Sequence, residues 1–535
     1  MLLGSQPTWS AAACRRWSAA AAYLLLALLP LVVLCTRWLL AVAAGTDAVL
    51  ADVRPSSRGL GLLWNSVALG AAVSAASTVL GTGLAFWLCG RGRLRRLTGM
   101  LYLVPLLIPP YIHALAWMAV AGRRQLLDRL FDALPLPLNI SFSAYGFLPT
   151  VLVLSFALFP VVTLLVRRGL GAMQPELLEA GLLIDTSWRV WRRVVVPLLA
   201  PSIAAAAGLV FVLAMVEYGV PALLQYNVFV MEMYASFSQY FDPVRALSSV
   251  LPLVVITTAI LSMSQSGMKN SPLASRPVPV DLGNKSDWPA WARWILTLCA
   301  GTWMLAVFVP VLVLLDRSGG PEILGQAANV GAGELVRTLI VAAVTGVAAT
   351  TVAVPLALAF MQRMTRFGWL ALALPLAVPA PLTAIALIYI WNRPALDWGY
   401  GTLLMLVLAH LARFLPFAAF TAFSGVRNID PLLIEAAALP DVGALRRIVR
   451  VTLPVLGPTI VMTWLITFVL SLGELGASLL ISPPGQATMS MVVYNLLHYG
   501  ATETVSALAL ILLLVAGIAS VAVLLVHRRL SERST

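Results

Sequence analysis

Twelve stretches of this chain stay apolar for about 20 residues, near 21–44, 62–89, 98–120, 144–166, 198–222, 246–264, 292–315, 335–360, 367–391, 402–424, 455–479 and 503–526. A bilayer core of about 30 Å takes about 20 residues of helix to cross. Within one segment, only a helix satisfies all of its own backbone groups. The expectation is an all-α polytopic membrane protein with about 12 transmembrane helices. Composition agrees: 60% of residues are hydrophobic and 11% charged, whereas a soluble domain carries about 25% charged residues. A polar, proline- and serine-containing stretch over 265–290 holds both lysines, Lys269 and Lys285, and separates the runs six from six. That predicts a first membrane domain over 1–264, a linker over 265–290 and a second domain over 291–535.

The two sets of runs also share a sequence. PELLEAGLLID (Pro175–Asp185) returns 256 positions later as PLLIEAAALPD (Pro431–Asp441). PLLAPSI from Pro197 returns as PVLGPTI from Pro454, and a glutamate stands 16 residues past the second proline each time, Glu217 and Glu474. The same order of features at nearly one offset means duplication, so two homologous six-helix halves are expected.

Net charge is +13, but it does not describe a nucleic-acid binder. Arginines crowd the short segments between apolar runs, among them Arg91, Arg93, Arg95, Arg96, Arg167, Arg168, Arg446, Arg447, Arg450, Arg528 and Arg529. The excess of basic residues on one side sets orientation, with both termini in the cytoplasm. Both PxxxEA segments then fall on the cytoplasmic side, between the fourth and fifth spans of each half. At the N-terminus, Arg15 and Arg16 precede the first run and Ala41-Val42-Ala43 imitates a leader cleavage site; the expectation is a retained first helix. Cys14, Cys35, Cys89 and Cys299 have no metal-ligand or redox spacing and read as packing residues. No metal site is expected.

Each repeated loop reads as two short helices. Asp430-Pro431 is a helix start, a capping side chain followed by a residue that needs no free amide, and Gln174-Pro175 is a weaker version. Glu179 and Glu435 follow one turn later among leucines. The helix should break at Asp185-Thr186-Ser187 and at Pro440-Asp441, and a basic second helix (Trp188–Val196 and Ala444–Leu453) should lead back to the membrane at Pro197 and Pro454. Leucines on a water-facing loop call for a partner to cover them.

This loop resembles the EAA motif of permease subunits in binding-protein-dependent ABC importers. In the second half Glu435, Ala436 and Ala437 stand for EAA, and Val451, Leu453 and Pro454 close the motif. In the first half Glu179, Ala180 and Gly181 match, and Val194, Val196 and Pro197 close one residue short. Asp185 and Asp441 occupy the place where the family usually has glycine. The resemblance covers nearly the whole chain: Asn65-Ser66 and Arg337-Thr338 open the second helix of each half, and Pro105…Pro109 and Pro375…Pro379 punctuate the third. It implies a fused, double-length permease with the type I importer fold, in the bacterial inner membrane. The loops around Glu179 and Glu435 would couple to two ATP-binding cassette subunits, and a solute-binding protein would deliver the cargo. EYGVPALL from Glu217 and GELGASLL from Glu474 look most like the iron-type branch, so ferric iron is the expected solute. Thiamine, aminoethylphosphonate and polyamine relatives carry similar phrases and stay open as alternatives.

The chain itself lacks a nucleotide site. A P-loop needs GxxxxGK[ST], and only Lys285-Ser286 offers the dipeptide, preceded by Asn284. ATP and Mg would be bound by the partner subunit, and no cofactor or catalytic residue is expected here. An ion-coupled secondary transporter also uses internal repeats and would need no ATPase. Intramembrane carboxylates are costly and usually face a cavity or a partner. Glu217 and Glu474 either flank the translocation path or sit at wet outer helix ends, held by water and loop amides. Arg413 has Ala157 at its matching place and is expected to pair with a nearby carboxylate or carbonyl.

Overall fold

A computed structural model describes residues 17–44, 56–89, 93–121, 143–173, 175–270, 288–360, 364–427, 429, 453–498 and 502–534. Among them there are helices and no strand, as the apolar runs require. The long helices are α1 (Trp17–Ala43), α2 (Ser57–Leu88), then the pair α3 (Arg93–Leu107) and α4 (Pro110–Ala121), and α5 (Phe147–Gly171). A short helix α6 (Pro175–Ile184) precedes α7 (Ser187–Met215), and α8 (Gly219–Leu223), α9 (Phe229–Tyr240) and α10 (Pro243–Asn270) complete the first set.

The second set is α11 (Ala290–Arg317), α12 (Pro321–Val330), α13 (Ala332–Phe360), the pair α14 (Arg366–Ala377) and α15 (Ala380–Trp391), α16 (Leu403–Arg427), α17 (Leu453–Leu472), α18 (Ser478–Ile481), α19 (Met489–His498) and α20 (Thr502–Ser534).

Ten of these are straight enough and apolar enough to cross a membrane, and the two pairs raise the total to twelve if each pair is one span. The runs read as single spans over 98–120 and 367–391 bend by 93° and 95°. Their prolines explain it. Ile108 and Val378 are extended (ψ 114 and 130) because each precedes a proline, Pro109 and Pro379, that disfavours the helical region for its neighbour. Prolines elsewhere leave the helix unbroken. Pro197 follows a π turn over Trp191–Val195, and Pro30 follows another over Leu24–Leu28. The wider turn shifts the hydrogen-bond register just where a proline cannot donate. The basic helix expected to end at Pro197 therefore runs on as one rod, α7.

Helix starts also differ from the sequence reading. α2 begins at Ser57, with the Ser56 hydroxyl accepting from the Gly59 amide at 3.1 Å, and α13 begins at Ala332. Asn65-Ser66 and Arg337-Thr338 thus lie inside these helices, where they hold the neighbouring connections. Ser66 Oγ accepts the first amide of α9, from Phe229, and Thr338 Oγ1 accepts the first amide of α19, from Met489, each at 2.9 Å. Beside them Asn65 donates to the Asn227 carbonyl and Arg337 to the Ala487 carbonyl. Each duplicated pair satisfies the open N-terminus of a short helix.

The two sets exchange their first helices. α1 packs on α15 and α16, with Tyr23 donating to the Leu372 carbonyl at 2.6 Å. α11 packs on α2 and α4. At that contact a Cβ on Gly83 would sit 2.4 Å from Cys299 Sγ, so the helices approach backbone to side chain. The remaining long helices enclose a central space between α5 and α7 on one side and α16 and α17 on the other.

Candidate functional site

The central space is a cavity of about 1200 Å³. Its wall is doubled residue by residue. Leu209, Leu213, Val216, Glu217, Tyr218 and Gly219 line it from one side, and Ile466, Leu470, Gly473, Glu474, Leu475 and Gly476, each 257 positions later, line it from the other. From α5 and α16, Ala157, Leu158, Val161, Leu164, Leu165 and Arg168 match Arg413, Phe414, Phe417, Phe420, Thr421 and Ser424 at a displacement of 256. The bends at Pro109 and Ala380 close the wall. Most of this lining is apolar, the usual character of a small-molecule site.

Glu217 and Glu474 lie just past the ends of α7 and α17, in the turns that enter α8 and α18, and not within the fifth spans as drawn over 198–222 and 455–479. The two turns touch: a Cβ on Gly219 would stand 3.3 Å from Leu475. Glu474 is buried. Its carboxylate accepts from the Ala477 amide (2.9 Å), the Ser478 amide (3.0 Å) and the Ser478 hydroxyl (2.7 Å). His410 Nε2 lies 3.5 Å from Oε2, and the same ring meets Ser471 Oγ through Nδ1 at 2.6 Å. Glu217 accepts from the Gly219 amide at 3.1 Å. The first half has Leu154, Ala214 and Pro221 where the second has His410, Ser471 and Ser478. The polar bracket around Glu474 is thus absent around Glu217.

Arg413 corrects an expectation. It lines the cavity beside Glu474, yet makes no hydrogen bond or ion pair with any described residue; its guanidinium rests 5.9 Å from the Phe414 ring. Its charge acts on both Glu217 and Glu474 without pairing with either. Sequence reasoning also passed over Tyr218. That ring stacks on Tyr234 at 5.4 Å and hydrogen-bonds Tyr494, so tyrosines from α9 and α19 meet over one end of the cavity. The signal was present in the paired Met233-Tyr234 and Val493-Tyr494.

At the far end from the glutamates lies α6. Glu179 and Ala180 are exposed, and Gly181 lets the helix close on its neighbour: a Cβ there would meet Val190 Cγ1 at 3.1 Å. Leu183 and Ile184 are 88% and 87% exposed. The helix breaks at Asp185, whose carboxylate accepts from the Thr186 amide at 2.8 Å and pairs with Arg189 at 3.1 Å, with Arg193 at 3.9 Å. The Thr186 amide first, and then Arg189 and Arg193, hold this carboxyl below the usual carboxylate range. An aspartate thus stabilises the break where glycine would only permit it. Pro197 is exposed on α7, and Pro454 is the second residue of α17. Glu435, Ala436, Ala437 and Asp441 lie outside the described residues. Among the described residues no three His, Cys, Asp or Glu side chains converge as metal ligands would.

Comparison with known proteins finds matches over part of the chain. Residues 77–271 match the family described as binding-protein-dependent transport system inner membrane component. The putrescine transport system permease protein PotI of Escherichia coli K12 is 32% identical over 149 residues, 27% of this chain and 52% of that protein. The spermidine/putrescine transport system permease protein PotC of the same strain is 28% identical over 162 residues, 29% of this chain and 58% of that protein. PhnV of Salmonella paratyphi A, named for 2-aminoethylphosphonate transport, is 28% identical over 146 residues, 27% of this chain and 55% of that protein. The chain spans somewhat over half the length of these relatives.

Proposed function

We propose that this chain is the membrane-spanning subunit of a binding-protein-dependent ABC importer, its two halves (1–264 and 291–535, joined by 265–290) forming one pathway in a bacterial inner membrane. The observation that carries this reading is α6. Leu183 and Ile184 stand almost wholly exposed at the end of a helix that also exposes Glu179. Apolar side chains presented this way on a water-facing loop belong under a partner. The family match over 77–271 runs through this helix, and in that family the natural partner is an ATP-binding cassette subunit. Two such subunits would grip α6 and the segment around Glu435 from the cytoplasm. Their closure on ATP would draw the two loops together and turn the cavity toward the outside, beside a loaded solute-binding protein. This chain supplies no ATP or Mg site of its own.

For the solute, the relatives favour an amine-bearing organic molecule. PotI, PotC and PhnV are named for putrescine, spermidine/putrescine and 2-aminoethylphosphonate. None of these names supports ferric iron, the solute that the sequence phrases around Glu217 and Glu474 suggested. The mostly apolar cavity wall suits an organic solute better than a bare metal ion.

The test is co-purification with uptake. Wild-type protein should bring down a Walker-containing ATPase, and the double variant Glu179→Arg, Glu435→Arg should lose both that association and solute uptake. Full association and full uptake in the double variant would remove the coupling role. Uptake that survives ATP depletion but collapses with the ion gradient would instead identify a secondary transporter.

A further inference from the structure

We propose that the cavity contains a binding site for a short zwitterionic solute, in which Arg413 receives an oxyanion and Glu217 receives an ammonium group. The inference rests on the importer reading and sharpens it by naming the class of solute.

The two glutamates, though duplicated in sequence, are not equivalent in chemistry. Glu474 already accepts three hydrogen bonds from Ala477 and Ser478 and has the His410 ring against it, 3.5 Å away. A carboxylate offers about four lone-pair positions, so little capacity is left for a ligand. Glu217 holds one turn amide, that of Gly219, and it lines the cavity with acceptor positions to spare. Tyr218, stacked on Tyr234, places an aromatic face next to it, and a ligand cation gains from such a neighbour.

Arg413 supplies the opposite pole. A guanidinium carries five N–H donors, and here none of them meets a described acceptor. Half-buried on a largely apolar wall, it is a cation in want of an anion, and its planar fork suits a phosphonate or carboxylate. It lines the same cavity as Glu217, and no ion pair joins the two. The first half has Ala157 at the same place, so no second arginine mirrors Arg413 across the cavity, and the other lining arginines, Arg168 and Arg427, belong to the α6 end.

This arrangement separates three solute classes. A diamine would find one open carboxylate, with its second ammonium left to face Arg413. A bare metal ion would find a single available carboxylate. A short aminoalkyl oxyanion matches both open groups.

The test uses the full chain in lipid nanodiscs without partners, titrated by saturation-transfer NMR with 2-aminoethylphosphonate, ethylphosphonate and putrescine. The wild type should bind 2-aminoethylphosphonate saturably and better than either other probe. Arg413→Gln and Glu217→Gln should each weaken that binding about tenfold or more, the loss expected of a charge-assisted hydrogen bond. Arg413→Lys keeps the charge without the fork and should bind more weakly than wild type but better than Arg413→Gln, which separates recognition from misfolding. Absence of saturable zwitterion binding, equal or tighter putrescine binding, or dependence on Arg168 or Arg427 at the α6 end in place of Arg413, would each overturn the site. Loss of ATPase association would leave these titrations unchanged, so the two proposals fail separately.

Discussion

Trp188 meets Trp288 edge-on, ring centroids 5.4 Å apart, and thereby joins the turn after α6 to the residue that leads into α11. Trp191 stacks on Trp188 at 4.8 Å and meets Trp288 at 5.1 Å, while Trp291 stands against Trp188 at 5.4 Å. Four indoles thus tie the exposed loop of the first half to the entrance of the second. Aromatic pairs contribute about 0.5–1.5 kcal/mol each beyond the area they bury. A double-mutant cycle on Trp188→Ala and Trp288→Ala should give a coupling energy in that range, measured from chemical denaturation in detergent. Amide exchange over Pro175–Ile184 should quicken in Trp188→Ala while α16 stays protected.

Glu474→Ala should cost far more stability than Glu217→Ala. The first removes the acceptor for two buried amides, and each buried group left unpaired costs about 1–3 kcal/mol; the Ser478 hydroxyl keeps His410 as a partner. The second frees only the Gly219 turn amide, beside open space. Thermal unfolding of the two variants in one detergent measures the difference, and near-equal midpoints would contradict the asymmetric bracket around Glu474.

Asp185 gives the loop a pH dependence of known sign. Its carboxyl is depressed in the folded chain, so the stability it lends is fully present above the unfolded aspartate value, about pH 4, and is lost as pH falls through the lower folded value. Limited proteolysis at the α6–α7 junction should therefore accelerate as pH drops below about 4. Asp185→Asn should be cut readily at neutral pH and show a flatter profile.

Gly83→Ala should destabilise the contact between α2 and α11, because the new methyl would sit 2.4 Å from Cys299 Sγ. Overpacking of this kind costs about 1–3 kcal/mol. Cys299→Ala leaves a 3.0 Å contact with Cβ and should restore part of the loss. Rescue in the double variant, read from thermal midpoints, checks that α11 lies on the first half in the membrane.

Ser66→Ala and Thr338→Val should each loosen a short helix by about 1 kcal/mol, since each leaves a first-turn amide without its acceptor. Amide exchange at Phe229 and Met489 reports each one, and the two effects should be similar in size.

The sequence made the helical class and the positions of most spans legible, because apolar length alone decides which segments can cross a bilayer. It also located the break at Asp185, where Asp, Thr and Ser favour caps over helix interiors. The bends at Ile108 and Val378 were marked by their prolines, but an angle depends on what packs inside it, and hydropathy carries no angle. α8, α9, α18 and α19 went unread because they are short and sit among mixed residues. The unequal surroundings of Glu217 and Glu474 depend on His410, distant in sequence from Glu474, and on Ser471, one helical turn before it. Pairing Leu154 with His410 through the repeat was the signal that could have shown it.

The exchange of first helices carries an implication for biogenesis. α1 leaves the ribosome and enters the bilayer long before α15 and α16, the surfaces it finally covers, have been made. Until then Tyr23 lacks the Leu372 carbonyl to which it donates, and the partner α1 can already reach is α10, through Trp38 and Ser248. Expressing the halves as separate polypeptides would leave each without its outermost stave unless the other is synthesised close by. Joining them in one chain keeps that delayed closure intramolecular.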